Sequence, residues 1–292
     1  MKKIIVIGGP TGVGKTAISL KIAKEINGEI INADASQFVR RLNIGTSKIT
    51  DKEMCGIKHH LLDIVDIGDD YSIYDYQRDA RRTIDEIINR GNIPIIVGGS
   101  GLYIQALIYD YKLDNKKSNH DLINEKYKAY DNESLYKLLQ DKNPALASKT
   151  HANNRNRVLR YLEMDVVSNE KPLLLYDCMY LCMTKDRKLL YDNINNRTIK
   201  MFNDGWLQEV QGLIDQGIDF SLIKSIGYKD ILDYINNNIS YDELISNIQK
   251  ETRHYAKRQF TWFNNQTDAL KIDVDNYDYN ELLTRIKTFL GD

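Results

Sequence analysis

Gly9 and Gly14, followed directly by Lys15 and Thr16, have the spacing G-x-x-x-x-G-K-[ST] within GPTGVGKT (9–16). Glycines let successive backbone N–H groups turn inward on phosphate oxygens, so the backbone of Gly9, Pro10, Thr11, Gly12, Val13 and Gly14 forms a cradle. A helix opening at that point adds positive potential, and Lys15 adds a point charge. The hydroxyl of Thr16 is a ligand for Mg²⁺. The pattern implies that a di- or triphosphate binds here and leaves open which one.

Asp34 ends a second strand-like run, GEIINAD (28–34). A motor or GTPase normally also ends a buried strand with an acidic residue that helps to hold Mg²⁺. The run NIPIIVGG (92–99) leads instead into Gly98-Gly99-Ser100-Gly101, with no carboxylate. Strand C-terminal ends face the ligand crevice in a doubly wound sheet. Asp34 then sits opposite the phosphate loop, where a small kinase holds its acceptor. An NTPase stays open as an alternative, but a transferase fits better.

Lys250, Arg253, His254, Lys257 and Arg258 fall at i, i+3, i+4, i+7 and i+8, one stripe of a helix, with only Glu251 nearby to neutralise it. The stripe is expected to meet an RNA backbone rather than to form a merely solvated face. Arg155, Arg157 and Arg160 form a smaller cluster with the same expectation. Trp262 and Phe263 are expected in the core, Tyr103 at a helix start, and Asp69-Asp70 in a solvated turn. His59 and His60 have no His or Cys partner at metal spacing, so a structural role is expected.

The elements that must position these groups are legible in the periodicity. KKIIVIG (2–8), GEIINAD, NIPIIVGG and, less clearly, HHLLDIVD (59–66) are strand-like. Residues 15–27 and 74–90 carry apolar positions three and four apart, as amphipathic helices do. Strands interleaved with helices predict a parallel sheet covered on both faces. From 112 the texture turns charged and helical, with long helical patterns at 154–168, 187–216, 222–237 and 240–263. DCMYLCMT (177–184) interrupts them, and ALKIDVD (269–275) precedes a last helix. The predicted fold class is α/β, a P-loop NTPase-like parallel sheet core with a mostly helical insertion domain. Its parts are the core over 1–111, the insertion over 112–184, and helical segments returning to the core over 185–292.

With 292 residues, 42% hydrophobic and 28% charged, the composition is that of a soluble globular protein. No apolar run approaches the ~20 residues that span a bilayer, and the run Ile4–Ile7 behind Met1-Lys2-Lys3 is too short for a signal peptide. Cys55, Cys178 and Cys182 lack metal-site spacing, and so few cysteines suit a reducing cytoplasm. The net charge is -1, so a polyanionic partner must be met by local clusters among the 40 basic residues.

Nearly the whole chain resembles the bacterial tRNA dimethylallyltransferases, also called tRNA isopentenyltransferases. The likeness rests on GPTGVGKT, IINAD (30–34) with Gln37, NIGTSK (43–48), HHLLDIVD, PIIVGGSGLYIQAL (94–107), RVLRYLE (157–163), SIGYKD (225–230) and TRHYAKRQFTWF (252–263). The resemblance implies transfer of a dimethylallyl group from dimethylallyl diphosphate to N6 of the adenosine just 3′ of the anticodon, in the anticodon stem-loop of tRNA. It implies that the loop 9–16, Lys15 and Mg²⁺ on Thr16 hold the donor diphosphate, with help from Arg197. Asp34 matches the general base. Ser100, where the family usually has threonine, matches a residue at the tRNA or the reacting centre. Ala35, Ser36 and Gln37 share the stretch that faces the acceptor. A monomer acting in the cytoplasm, away from membranes, is expected.

Some positions depart from the family pattern. Ala35-Ser36-Gln37 replaces Ser-Met-Gln, Phe38-Val39-Arg40 replaces Val-Tyr-Arg, and Asn154 stands for an aspartate. An arginine that many members carry after the GLY helix has only Lys112, Lys116 and Lys117 in its neighbourhood. The rival readings are an adenylate isopentenyltransferase, a P-loop small-molecule kinase, and a non-catalytic nucleotide-binding RNA protein. The basic stripe argues against the first, because a free nucleotide needs no long cationic surface.

Overall fold

A computed structural model describes residues 1–111, 113, 120–163, 172–266 and 269–291. They form two compact units, one of residues 1–111 with 173–292 and one of residues 112–172.

The first unit opens with β1 (Lys3–Gly8), α1 (Lys15–Glu25), β2 (Gly28–Asn32), β3 (His59–His60), α2 (Ile73–Asn89), β4 (Ile93–Gly98) and α3 (Gly101–Ile108). The strands are rich in Ile and Val, which suit a pleated surface buried on both sides. The alternation of β1 shows how the layers form. Ile5 and Ile7 pack with Ile18 and Ile22 of α1 on one face. Ile4 and Val6 pack with Ile84 and Ile87 of α2 and with Ile104 and Leu107 of α3 on the other. Burial of each such side chain contributes about 1.5–3 kcal/mol. Ser72 and Asp75 close a capping box that fixes where α2 begins.

The second unit holds α4 (His120–Lys126), α5 (Asn132–Lys142), α6 (Pro144–Ala147) and α7 (Arg155–Glu163). Its own small core includes Leu135, Leu139, Val158 and Leu162. Of the helical pattern expected over 154–168, α7 accounts for Arg155–Glu163, and residues 164–168 lie outside the described residues, as do Lys112, Lys116 and Lys117.

The chain then returns to the first unit with β5 (Asp177–Thr184), α8 (Arg187–Asn203), α9 (Trp206–Asp215), α10 (Tyr228–Ile235), α11 (Tyr241–Gln266), β6 (Leu270–Asp273) and α12 (Tyr279–Leu290). The periodic stretches 187–216 and 222–237 are interrupted or shortened at Gly205 and Gly227, which cap α9 and α10 in the left-handed region at φ 104 and φ 90. Trp206, Val210, Tyr228, Ile231 and Leu244 form the core of this helical part.

All six strands are parallel, in the order β3-β2-β4-β1-β5-β6. Two sequence expectations are corrected here. Residues 177–184 were expected inside the insertion, but β5 pairs with β1 from Lys3↔Asp177 to Gly8↔Cys182 and belongs to the central sheet. An unpaired flank of β1 would leave a row of buried N–H and C=O groups unsatisfied, and β5 satisfies it. HHLLDIVD is strand only at His59–His60, because Leu61 and Asp63 take positive φ and end the ladder. No helix among the described residues is long and apolar enough to cross a membrane.

Candidate active site

Strand order brings the chemistry together. β4 lies between β2 and β1, with Gly8 opposite Gly98 and Asn32 opposite Val97. The phosphate loop after β1, the turn after β2 and the glycine-rich turn after β4 therefore leave the sheet side by side.

Gly14 sits at φ 98, in the left-handed region, and caps α1, whose first turn carries no acidic residue. That leaves the helix N-terminus electrostatically open to an anion. The Lys15 ammonium donates to the carbonyls of Gly9 and Pro10, each at 2.9 Å. Burial lowers it to about 8, with Arg197 pushing the same way and Asp34 opposing. Arg197 reaches in from α8 and donates from Nη2 to the Thr11 hydroxyl at 2.8 Å. Burial pushes its guanidinium down as well, and the charge of Asp34 opposes that shift. Two half-buried cations thus flank the loop, with one carboxylate in their field. Thr16 is exposed on the first turn of α1.

Asp34 follows β2 and caps the short 3-10 turn Ala35–Phe38. Its Oδ1 accepts from the Ser36 amide at 3.2 Å and the Ser36 hydroxyl at 2.7 Å, while Asn32 accepts from the Asp34 amide at 3.0 Å. Ser100 is tied to the same turn: its amide donates to the Ala33 carbonyl at 3.2 Å, and its Oγ accepts from the Ala35 amide at 3.4 Å. The Gln37 side chain donates to the carbonyls of Thr46 and Ser47 at 3.1 and 3.2 Å. The same turn carries Phe38 into the core, where it stacks on Tyr76 at 5.4 Å and is 2% exposed. Phe38 also lines the cavity beside this turn, so its packed ring backs the stretch that carries Ala35 and Ser36.

A cavity of about 820 Å³ opens over this array. Its lining mixes polar groups, Thr11, Asp34, Arg197, Tyr255 and Arg258 with Asp66, Asp69, Asp70 and Lys224, and apolar surface from Leu42, Met201, Trp206, Ile223 and Ile226. Ligand pockets for organic molecules combine these two features at about this size. One wall is the NIGTSK segment, held by a carboxylate that sequence reading did not single out. Glu209 accepts from the amides of Asn43, Ile44 and Gly45 at 3.0, 2.8 and 3.4 Å, and from the Tyr228 hydroxyl at 2.6 Å.

The long helix α11 forms another wall and has two chemically different faces. Lys250, His254, Lys257 and Arg258 are exposed. Arg253, expected among them, is half-buried and donates to Asn195 of α8 at 2.7 Å, so it also ties α11 to α8. Arg258 lies 5.6 Å over the Tyr255 ring, a cation–π arrangement. Inward, Tyr255 lies within hydrogen-bonding reach of Ser100 and Gln259, and burial followed by the charge of Asp34 pushes its phenol up to about 12. Gln259 accepts from the Thr11 amide at 2.8 Å and donates to the Gly99 carbonyl at 2.9 Å. Phe263 is 2% exposed, in the core as expected, and the half-buried Trp262 packs against α3.

Tyr255, Gln259 and Glu209 were missed from sequence. A signal for Gln259 existed: Ala256, Gln259 and Phe263 share the buried stripe of α11. A glutamine on such a stripe must find partners.

In the unit formed by residues 112–172, Arg155 does structural work. It donates to the carbonyls of Tyr130 and Tyr127, each at 2.8 Å. Arg157 is exposed and bonds to the Tyr161 hydroxyl at 2.9 Å, and Arg160 is exposed. Asn154, where the resembled family has an aspartate, accepts from the Arg157 amide at 3.3 Å at the start of α7. His60 pairs with Glu29 at 2.5 Å. Burial pushes the Glu29 carboxyl up, but hydrogen bonds from Arg90, Asn92 and His60 outweigh it and hold it at about 2. No cluster of three or more metal-binding side chains occurs among the described residues.

Comparison with known proteins gives a consistent result. Residues 37–266 match the family model described as IPP transferase. The chain is 41% identical over 300 residues to a tRNA dimethylallyltransferase of Bacillus mycoides, covering 98% of this chain and 95% of that one. It is 42% identical over 304 residues to the protein of the same name from Bacillus anthracis, covering 98% and 96%. The crystal structure of a tRNA isopentenylpyrophosphate transferase from Bacillus halodurans superposes with a TM-score of 0.75 at 37% identity, over 100% of this chain and 96% of that chain. A eukaryotic dimethylallyltransferase acting on tRNA gives a TM-score of 0.80 at 27% identity, over 98% and 78%.

Proposed function

The chain belongs to the IPP transferase family, and we propose from this that it transfers a dimethylallyl group from dimethylallyl diphosphate to N6 of an adenosine in tRNA, the one just 3′ of the anticodon. The observation that carries this reading is the meeting of Lys15, Arg197 and the phosphate loop with Asp34 beside a cavity lined by both polar and apolar side chains.

The chemistry follows from that arrangement. N6 forms a bond to the allylic carbon as the carbon–oxygen bond to diphosphate breaks, and negative charge grows on the leaving oxygen. Lys15 and Arg197 stand where they offset that charge, already fixed by hydrogen bonds to the loop. The adenine nitrogen becomes positive as it is alkylated, and Asp34 accepts its proton. Ser36, bonded to Oδ1, orients the carboxylate. Mg²⁺ usually takes one or two protein oxygens together with phosphate oxygens and water. The exposed Thr16 hydroxyl beside the loop suits that donor set, and the ion adds further charge neutralisation on the diphosphate when bound.

The acceptor base must leave its stack to enter a cavity. The exposed cations of α11, Arg258 at the cavity with Lys257 and Lys250 on the same helix, supply the backbone contacts that hold the RNA while it does so. Three free cysteines suit a reducing compartment, and we place the enzyme in the cytoplasm.

The test is incubation of purified protein with Mg²⁺, radiolabelled dimethylallyl diphosphate and unmodified tRNA, beside a matched reaction with AMP. Label in tRNA alone is the expected result. Label in AMP alone moves the enzyme to free nucleotides; label in neither, followed by ATP turnover in a separate reaction, makes it a kinase or NTPase.

A further inference from the structure

We infer that Gln259 is a positioning residue for the donor diphosphate, holding the phosphate loop and the turn after β4 in one fixed relation from the inner face of α11. This rests on the reading of residues 9–16 as the diphosphate site.

Gln259 is 5% exposed, and each end of its carboxamide is committed. The Thr11 amide can only donate and the Gly99 carbonyl can only accept, so the orientation of the carboxamide is set by its partners. A leucine there would leave both backbone groups unpaired, and a glutamate would set a carboxylate oxygen against the Gly99 carbonyl. The fit is close: a Cβ at Gly99 would lie 2.3 Å from Gln259 Nε2. Thr11 is therefore fixed twice, at its amide by Gln259 of α11 and at its hydroxyl by Arg197 of α8. A phosphate loop works by aiming its N–H groups. With Thr11 fixed to the scaffold, the residues after it are launched in a defined direction.

Neighbours on the same helix reinforce the seat. Cβ atoms at Gly101 and Gly8 would lie 2.1 Å from Trp262 and 2.6 Å from Phe263. Residues 259, 262 and 263, at i, i+3 and i+4, thus press on the ends of β4 and β1, while Lys257 and Arg258 stay exposed. A single helix carries both the cations that face the RNA and the amide that fixes the donor loop.

The experiment measures binding of inorganic diphosphate with Mg²⁺ and of unmodified tRNA by calorimetry, and donor KM and kcat, for wild type, Gln259→Leu and Gln259→Glu. Gln259→Leu is expected to weaken diphosphate binding and raise donor KM by about ten- to a hundredfold, the scale of leaving buried backbone groups unpaired. Its kcat falls less, and its tRNA affinity stays within about twofold of wild type. Gln259→Glu, nearly the same shape, is expected to weaken donor binding at least as much and serves alone if the leucine variant does not fold. Unchanged diphosphate affinity in a folded variant overturns the inference, as does an equal loss for donor and tRNA, which would mark general damage. Failure of the wild type to bind diphosphate would overturn the reading of the loop itself.

Discussion

Lys15→Met removes the charge from the phosphate loop and nearly keeps the length of the side chain. Burial lowers the Lys15 ammonium from its ordinary 10.5 to about 8. Keeping it charged at neutral pH thus costs the ligand-free fold at most about 3 kcal/mol. The hydrogen bonds to Gly9 and Pro10 that the substitution removes are worth about 1 kcal/mol each. Near pH 7 the variant should therefore match the wild type or exceed it by about 1 kcal/mol, although the proposed function makes the lysine central to binding. The pH dependence is the sharper test. Between pH 8 and 10.5 the folded wild type has released the Lys15 proton and the unfolded chain still holds it. Unfolding free energy then rises with pH. Wild type should gain about 2–3 kcal/mol on the variant across that window, while other titrating groups cancel in the difference. Urea unfolding of both proteins at several pH values from 7 to 10 measures this, and diphosphate titrations at the same pH values complete it. Wild-type diphosphate affinity should decline above pH 8, and Lys15→Met should bind weakly throughout. Two stability curves that stay parallel from pH 7 to 10 would refute the burial of this charge.

Asp34→Asn should cut turnover by about a hundredfold or more, the scale of losing a general base, with tRNA affinity nearly intact; single-turnover prenyl transfer and filter binding measure the two, and unchanged turnover removes Asp34 from the role. Lys257→Ala with Arg258→Ala should weaken tRNA binding and flatten its logarithmic salt dependence by about one to two units of slope; an unaltered slope returns that face to ordinary solvation. Gly45→Ala places a methyl group 2.4 Å from Trp206 Nε1 and 2.6 Å from Tyr228, so it should cost about 1–3 kcal/mol of stability by overpacking. Thermal unfolding reads that cost, and an unshifted midpoint would mean that the NIGTSK wall is free to move.

The parts of the site that were legible in the sequence are those encoded locally. The phosphate loop needs glycines, lysine and threonine within eight consecutive residues. Asp34 could be placed because strand ends are readable and parallel strands put those ends at one edge, whereas Ser100 came only with the family resemblance. Groups recruited from afar were not legible. Gln259 meets Thr11 across 248 positions, and Glu209 meets Ile44 across 165. Nothing near either residue announces its partner. Residues 177–184 read as a strand, but their place in the sheet was not legible, because helical sequence surrounds them and their partner β1 lies at the start of the chain. Arg253 shows the same limit. Helical spacing put it on a charged stripe, but that stripe is wide enough for its edge to reach Asn195 on another helix.

The seating of α11 on the ends of β1 and β4 also orders events during synthesis. Gly8, Gly99 and Gly101 leave the ribosome long before Phe263, Gln259 and Trp262, the side chains they receive. At ordinary elongation rates the interval after Gly99 is roughly ten to thirty seconds. Through it the nascent chain carries the residues of the phosphate loop without the amide that fixes them. On the proposed reading, the donor site is completed by the helix that bears the cations assigned to the RNA, and a chain truncated before α11 would neither hold the diphosphate in working geometry nor compete for tRNA.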